Sequence, residues 1–209
     1  MKCKIYLFLA IIFLLFALFA EEGELQIGVG VGGFFPLHHT KNGADVSSFP
    51  GVTVPLQLLI GVHDNFDVGV MGEWGYLSDI AMKDVTYGAL KGDAYSDYMH
   101  GSVSLFARWN MVPGYLVATH LVTGAGLFIE RYYNRDFYVG ESALAEYEGA
   151  TEITPLFNGV VGVDVVVRLP WWHLLLKGEV LFNANKNMLF LTINFSIGFS
   201  WMISSMYSL

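Results

Sequence analysis

The sequence predicts an all-β protein, an eight-stranded antiparallel up-and-down transmembrane β-barrel that follows an N-terminal signal peptide. Hydrophobic residues make up 54% of the chain, yet beyond the first residues there is no apolar run of the roughly 18 residues typical of a spanning helix. Apolar residues instead alternate with small or polar ones, which is the period of a β-strand. The connections between these segments alternate in length, as they do in membrane barrels.

The first element, residues 1–20, has the order of a secretory signal peptide. Lys2 and Lys4 precede an unbroken apolar run over residues 5–19, and Ala20 offers a small residue at the cleavage point. An uncleaved membrane anchor is the alternative. The run is shorter than the roughly 20 residues that such an anchor needs, which favours cleavage.

Residues 21–209 are predicted to form one domain, the barrel. The single cysteine, Cys3, lies in the predicted signal peptide, so the exported part could form no disulfide. Removing Lys2 and Lys4 from the 11 basic residues leaves 9 against 19 acidic ones, a net charge of −10. Phosphate binding needs clustered Lys and Arg, so this balance argues against a nucleic acid partner.

Eight strands are predicted from the alternation of residue types. In the last strand, from Leu189 to Ile203, the odd-numbered residues are apolar or aromatic and the even-numbered ones are mostly small or polar. The first face would meet lipid, and the second would line the lumen. The seven earlier strands are predicted at residues 24–36, 51–62, 66–77, 97–109, 115–130, 153–169 and 173–182.

Three long connections separate the predicted hairpins, at residues 37–50, 78–96 and 131–152. The turns between them are short, as are the periplasmic turns of outer-membrane barrels, whereas the external loops are longer. Both chain ends would then lie in the periplasm and the long loops outside the cell. Because loops on a rigid scaffold often carry function, these three are the predicted site of contact with an extracellular partner.

The last strand also carries a short motif, a polar residue followed by glycine and two spaced apolar residues. Its members are Ser196, Gly198, Trp201 and Ile203. The motif resembles the barrel-assembly signal of the small eight-stranded outer-membrane barrels, which include the OmpA-type transmembrane domain and the OmpW-like proteins. In that family the signal ends the chain, whereas here residues 204–209 follow it. Either they form a tail, or the strand continues and uses Tyr207 and Leu209.

The resemblance covers the whole chain after the signal peptide and implies a multi-pass β-barrel in the bacterial outer membrane. It also implies contact with outer-membrane lipid and with the barrel-assembly machinery. For the OmpW-like proteins it implies a narrow channel for small hydrophobic molecules.

Charged side chains are predicted to face the lumen. They are Asp67, Glu73, Arg108, Asp164, Arg168, His173, Lys177 and Glu179. An eight-stranded barrel has an interior just filled by side chains, so these charges must pair or hold water. Hairpin geometry predicts the facing residues. The predicted pairs are Asp164 with Lys177, Arg168 with His173, Glu73 with Pro55, and Asp67 with Gly61. The network could close the lumen as a plug, or it could form a gated or proton-sensitive passage.

His100 and Ser102 are the weak catalytic candidates, because some lipid-hydrolysing outer-membrane barrels carry a His-x-Ser pair as base and nucleophile. Glu73, Asp97 and Glu130 are candidates to orient the histidine. The pair shares the predicted lumen face, where it could not reach a lipid. We therefore predict that the protein is not an enzyme.

Two further patterns are expected to carry no cofactor or metal. Gly28, Gly30 and Gly33 match the spacing of a dinucleotide-binding loop, but no helical pattern follows them. Glycine at every second position instead clears one face of a strand. His38 and His39, which could join Asp45 at a metal, are more simply read as surface residues of a loop.

Three functions follow from these patterns. The first is a non-enzymatic envelope or surface protein whose loops carry its interactions. The second is the narrow channel that the OmpW-like resemblance implies. The third is a lipid-hydrolysing barrel that uses His100 and Ser102.

Overall fold

The computed structural model describes residues 23–41, 44–47, 50–63, 65–114, 116–144, 147–169 and 173–203. The predicted signal peptide, 1–20, and the carboxyl-terminal residues 204–209 lie outside this part of the chain. The described residues contain no helix that is long and apolar enough to span a membrane.

Ten strands make up almost all of the described chain. They are β1 (Gly23–Lys41), β2 (Ala44–Ser47), β3 (Gly51–His63), β4 (Phe66–Tyr87), β5 (Leu90–Val112), β6 (Val117–Val139), β7 (Ser142–Ala143), β8 (Thr151–Leu169), β9 (Leu174–Ala184) and β10 (Met188–Ile203). The eight long strands form the wall. The short strands β2 and β7 add to the edges of β4 and β6 at one end.

The wall closes into a ring because β1 pairs with both β3 and β10. All neighbouring strands are antiparallel, and the seam between first and last strand runs from Gly23 opposite Ile203 to His39 opposite Met188. Closure satisfies the backbone hydrogen bonds of every wall strand without help from water, which a bilayer requires. The predicted fold class, an eight-stranded antiparallel barrel, is confirmed.

The two faces of the wall differ as predicted. On β10, Phe195 is 68% exposed and Ile197 is 54% exposed. Asn194, which precedes Phe195 on the same strand, is fully buried. The same contrast recurs around the ring, where Val31, Leu127 and other large apolar side chains point outward. So large an exposed apolar surface is a liability in water, but it is the expected contact of a barrel with lipid.

This apolar band has a clear external limit. On β6 outward apolar side chains continue as far as Ile129, and the exposed Arg131 comes next. On β4 the band ends near Trp74 and Tyr76, and the exposed Ser78 follows. We take these positions as the external ends of the membrane-spanning segments.

The structure corrects the predicted long loops, because much of their length is strand. Instead of a loop at 78–96, β4 and β5 continue to a tight turn at Gly88 and Ala89. Likewise β1 extends into the predicted loop 37–50, and β6 extends into 131–152. The strands β4, β5 and β6 thus form a sheet that rises beyond the apolar band, which we call the external extension.

Two β-bulges explain why alternation did not predict the external extension. The β4–β5 register shifts between Leu77 and Ile80, and again between Met82 and Val85. All four side chains are buried, so each bulge moves the buried face between odd and even positions. A strict period of two therefore predicts the end of the strand at the first of these shifts.

The register of the β8–β9 hairpin also differs from the prediction. Asp164 lies opposite Glu179, and Arg168 lies opposite Leu175. The predicted pairs Asp164–Lys177 and Arg168–His173 are therefore wrong. Pairing starts at Leu169 and Leu174, so the connection is longer than predicted and the partners move by two residues.

His173 itself lies in that connection rather than on a strand. It is exposed, and its backbone has a φ of 50°. The prediction that it faces the lumen is wrong, because a strand position was assigned to a turn residue. The β3–β4 hairpin is correctly predicted, with Glu73 opposite Pro55 and Asp67 opposite Gly61.

The orientation of the barrel leads to a labelling prediction. A cysteine in place of Ala89, at the exposed tip of the external extension, should react with a membrane-impermeant thiol reagent on intact cells. Pro113→Cys, in the exposed turn at the opposite end, should react only after the outer membrane is permeabilised. The unsubstituted protein supplies the background. Labelling of the second variant alone on intact cells would reverse the orientation.

Candidate functional site in the barrel lumen

At the end opposite the external extension, the lumen is occupied by a network around Arg108, which is 1% exposed. Its Nε donates to Asp67 Oδ2 at 2.7 Å, and its Nη2 donates to Gln26 Oε1 at 2.9 Å. Asp164 Oδ2 lies 3.6 Å from Nη1, while Asp164 Oδ1 is 2.5 Å from His120 Nδ1. The guanidinium of Arg108, on β5, thus lies against side chains from three other strands, β1, β4 and β8.

A second network lies above the first and centres on Glu179. Lys177 Nζ is 2.7 Å from Glu179 Oε2, and it also donates to Gln57 Oε1. Gln57 Nε2 and Asn194 Nδ2 each donate to Glu179 at 2.9 Å. The carboxylate is therefore compensated by one ammonium and two amides, although it is almost completely buried.

Apolar side chains fill the spaces between and above these networks. One buried cluster joins Leu59, Met71, Phe106, Val122, Val160 and Leu181. A larger cluster, which we call the external cluster, fills the other end of the barrel and includes Phe34, Tyr98, Phe128, Tyr132 and Phe190. A cavity of about 20 Å³ remains beside Gln26 and Arg108, which is room for about one water molecule.

Arg168 sits near the mouth of the barrel opposite the external extension. Its Nη1 donates to both carboxylate oxygens of Glu24 at 2.6 Å, and the guanidinium is about one-third exposed. Arg168 therefore forms its ion pair with a residue of β1, and not with the predicted partner His173.

Polar groups at the external end are held by the external cluster, beyond the apolar band. His39 Nε2 is 2.6 Å from Tyr132 Oη, and Lys41 Nζ lies 4.0 Å from the centre of the Tyr132 ring. Burial, aided by Lys41, lowers the pKa of His39 to about 3, so the imidazole is neutral at physiological pH. Asn187 Nδ2 donates to Glu130 Oε2 at 2.9 Å.

These contacts change the interpretation of the histidine pair. His39 is buried in the external cluster, whereas His38 is exposed. The prediction of two surface histidines is therefore wrong for His39, because the strand β1 extends through both positions and directs them to different faces. The side chain of Asp45, the third candidate metal ligand, lies outside the described ones.

His100 and Ser102 are both buried on the lumen face of β5. His100 Nε2 lies 3.2 Å from Glu73 Oε1, and the ring stacks on Phe128 with centres 4.8 Å apart. Of the three candidate orienting residues, Glu73 makes this contact. Activation of a serine requires its hydrogen bond to the base. Here His100 Nε2 bonds Glu73, and among the described residues His100 Nδ1 has no hydrogen-bond partner, so the histidine does not bond Ser102.

The glycine string lies wholly within β1. A side chain on Gly30 would overlap Ser196, and one on Gly32 would overlap Asn194, both from the neighbouring strand β10. These glycines therefore allow inward side chains of β10 to lean across β1. This is a packing role for Gly30 and Gly32.

The residues of the predicted assembly signal lie on both faces of β10. Ser196 and Gly198 face inward, Trp201 is 47% exposed, and Ile203 is the last residue of the strand. Tyr207 and Leu209, the alternative pair, lie outside the described residues. Recognition by the assembly machinery stays a prediction.

Several lumen side chains were not part of the predicted network. Gln26, Gln57, His120 and Asn194 hold its charged members in place. All four occupy inward positions of strands, so parity along the strand could have selected them. The predicted network was based on charged residues, so it did not include these neutral or weakly basic side chains.

Known proteins provide a comparison at the level of structure. No protein-family model matches the chain, and no curated protein matches it in sequence. The structure is similar to that of Ail, the attachment invasion locus protein of Yersinia pestis, in complex with the heparin analogue sucrose octasulfate. The TM-score is 0.51 at 12% identity, and the match covers 86% of this chain and 99% of that one.

The outer membrane protein OprG from Pseudomonas aeruginosa is similar to the same degree. Its TM-score is 0.50 at 12% identity, over 85% of this chain and 96% of that one. At such identities the likeness concerns the fold, which is that of small outer-membrane β-barrels. With its closed ring and apolar outer face, the chain is an integral membrane barrel of the outer-membrane type.

Proposed function

We propose that the protein is a non-enzymatic barrel of the bacterial outer membrane that acts at the cell surface through its external extension. The observation that carries this proposal is the filled lumen. Charged networks around Arg108 and Glu179 occupy the lumen together with a buried apolar cluster, and the external cluster fills the far end. Such a core supports a rigid anchor better than a passage for solutes.

The external extension is the proposed contact surface. Arg135 on β6 bonds Asp79 and lies 3.5 Å from Asp97, and Lys91 lies 3.2 Å from Asp84. These basic groups are already paired with carboxylates, so they offer little to a polyanion such as the sulfated ligand of the Ail complex. We propose instead a protein partner with a neutral or basic surface. It would bind the end of the barrel formed by residues 37–50, 78–96 and 131–152, the segments predicted as loops.

Membrane lipid and the barrel-assembly machinery are further proposed partners. The exposed apolar band supports the first, because it needs an apolar surrounding. The motif of Ser196, Gly198, Trp201 and Ile203 on the last strand supports the second through its resemblance to the family signal.

One set of measurements on vesicles separates the surface function from its two rivals. Wild-type protein should give no stable open-channel current in a planar bilayer, and no faster uptake of a fluorescent apolar dye than protein-free vesicles. Fatty-acid release from the vesicle lipids should stay at background and be equal for wild type and Ser102→Ala. Uptake above the protein-free level would establish a channel. Release that Ser102→Ala abolishes would establish a hydrolase.

A further inference from the structure

The strand β8 extends beyond its neighbour β9 at the external end of the barrel. The last pair between the two strands joins Gly159 to Ala184, and the chain then turns into β10. On its other side β8 stays paired with β6 as far as Thr151. Among the residues that the structure describes, the side of β8 that faces β9 therefore has no strand partner over residues 151–158. We call this segment the free edge.

Two backbone hydrogen bonds show which residues direct their polar groups to the free edge. Near one end of β8, Arg168 N donates to Leu116 O at 2.8 Å, on the β6 side. Next to the other end, Ala150 O accepts from Asn134 N at 2.9 Å, also on the β6 side. Even-numbered residues therefore point to β6. Successive residues of a strand point to opposite sides, and the pairing with β6 shows no register shift, so odd-numbered residues form the free edge.

The backbone groups of the free edge lie at the external limit of the apolar band. Ile153 and Phe157 each contribute an N–H and a C=O, whereas Pro155 contributes only a C=O. Pro155 lies opposite Ile129, the last outward apolar residue of β6. Phe157 lies two residues deeper and is 70% exposed on the outer face. Because hydrocarbon satisfies no backbone hydrogen bond, a ligand with polar groups has to cover this edge.

Pro155 argues against a further β-strand as that ligand. An added strand would need a donor at the centre of the free edge, where proline has none and where its ring occupies the place of the N–H. Proline within sheets is confined to edges, and it is one of the devices that keep an edge from pairing with another chain. The ligand is therefore a molecule that bonds the N–H and C=O groups on either side of Pro155 without forming a ladder.

A cationic side chain lies beside the free edge. Arg131 is opposite Ile153 and is exposed on the outer face, directly above the end of the apolar band. In the part of the chain that the structure describes, Arg131 forms no ion pair. Asp97, a carboxylate on the neighbouring strand β5, instead lies 3.5 Å from Arg135. The guanidinium of Arg131 is therefore available to an anionic ligand.

We infer that the free edge and Arg131 form a binding site for a phosphorylated glycolipid of the outer leaflet. The phosphate accepts charge-assisted hydrogen bonds from the guanidinium and from the N–H of Ile153. Hydroxyl and amide groups of the sugar donate to the edge carbonyls, which a phosphate alone does not satisfy. The acyl chains continue the lipid contact of the apolar band over Phe157. This inference rests on the proposed placement of the barrel in the outer membrane.

Hydrogen–deuterium exchange tests the site in the wild-type protein, refolded into lipid nanodiscs and followed by NMR. The membranes are phosphatidylcholine alone, and phosphatidylcholine with either bisphosphorylated or dephosphorylated lipid A. The amide of Phe157 should exchange at least about tenfold more slowly with bisphosphorylated lipid A than in phosphatidylcholine alone. Dephosphorylated lipid A should protect it less. Equal exchange in all the membranes, whether fast through water or slow through another partner, would overturn the proposal.

Variants test the contribution of Arg131, with native mass spectrometry measuring the lipid A that the barrel retains. Arg131→Gln should weaken retention of the bisphosphorylated form by about tenfold or more, the ratio expected for the loss of a hydrogen bond to a charged group. Retention of the dephosphorylated form should not change. Arg135→Gln, which removes an exposed arginine that already has carboxylate partners, should behave as wild type. Equal retention by both variants would refute the assignment.

Failure of this inference is distinguishable from failure of the proposed function. The amide of Val163 is covered by β9, where Val163 lies opposite Val180, so it should be protected in every membrane and reports the folded barrel. A protected Val163 together with equal exchange at Phe157 in every membrane would refute the lipid site alone. The proposed surface function would then still stand on the vesicle measurements of channel and hydrolase activity.

Discussion

Arg108→Met should lower the free energy of unfolding of the barrel by about 3–5 kcal/mol, the range found when one partner of a buried ion pair is removed. The guanidinium compensates Asp67 directly and faces Asp164, and it also satisfies Gln26. Methionine fills similar space but leaves both carboxylates without this cation. Urea titration of the barrel refolded into lipid vesicles, followed by tryptophan fluorescence, measures the change.

Two companion variants test the cause of that loss. Adding Asp67→Asn to Arg108→Met should recover much of the stability, because the closest unpaired charge is then removed. If the double variant instead loses the sum of the two single effects, the residues are not coupled. Arg135→Met removes an exposed arginine of the external extension, and should leave the unfolding free energy almost unchanged, because exposed ion pairs contribute little.

Val161→Arg should destabilise the barrel by about 2–4 kcal/mol, because a charge would face lipid near the midplane. Val161 is one residue from the middle of β8, and its side chain is 51% exposed on the outer face. The same urea titration in vesicles reports the change. The cost should fall towards zero for an arginine placed near either interface.

Val161→Leu is the matched control for this substitution, because leucine keeps an apolar contact with lipid. It should leave the unfolding free energy almost unchanged. Equal tolerance of arginine and leucine would mean that Val161 does not face hydrocarbon, and the assignment of the outer face would have to be abandoned.

The membrane-spanning part of this fold could be predicted well from sequence. Lipid outside and side chains inside impose a strict period of two, as in Phe195, Ile197 and Phe199 of β10. Beyond the apolar band this constraint ends, because water replaces lipid and outward residues may be of any polarity. The bulges after Leu77 and Met82 then removed the remaining period, and strand was interpreted as loop.

The lumen contacts were less predictable for a geometric reason. Neighbouring strands follow from hairpins, but the networks join strands that face each other across the barrel. Gln57 and Glu179 are 122 positions apart, and Arg108 and Gln26 are 82 apart. Such contacts depend on the stagger and tilt of the whole ring, which no single hairpin specifies. Even within one hairpin, the predicted turn was too short, so Lys177 was predicted opposite Asp164, whereas Glu179 occupies that position.

The continuous strands of the external extension have a consequence for recognition. A mobile loop loses conformational entropy when a partner orders it, and that loss is subtracted from the binding free energy. The β4–β5 hairpin is already ordered by its backbone ladder up to the pair Tyr87–Leu90. A partner would therefore meet a preorganised surface, and its shape and charge, rather than the folding of a loop, would determine affinity.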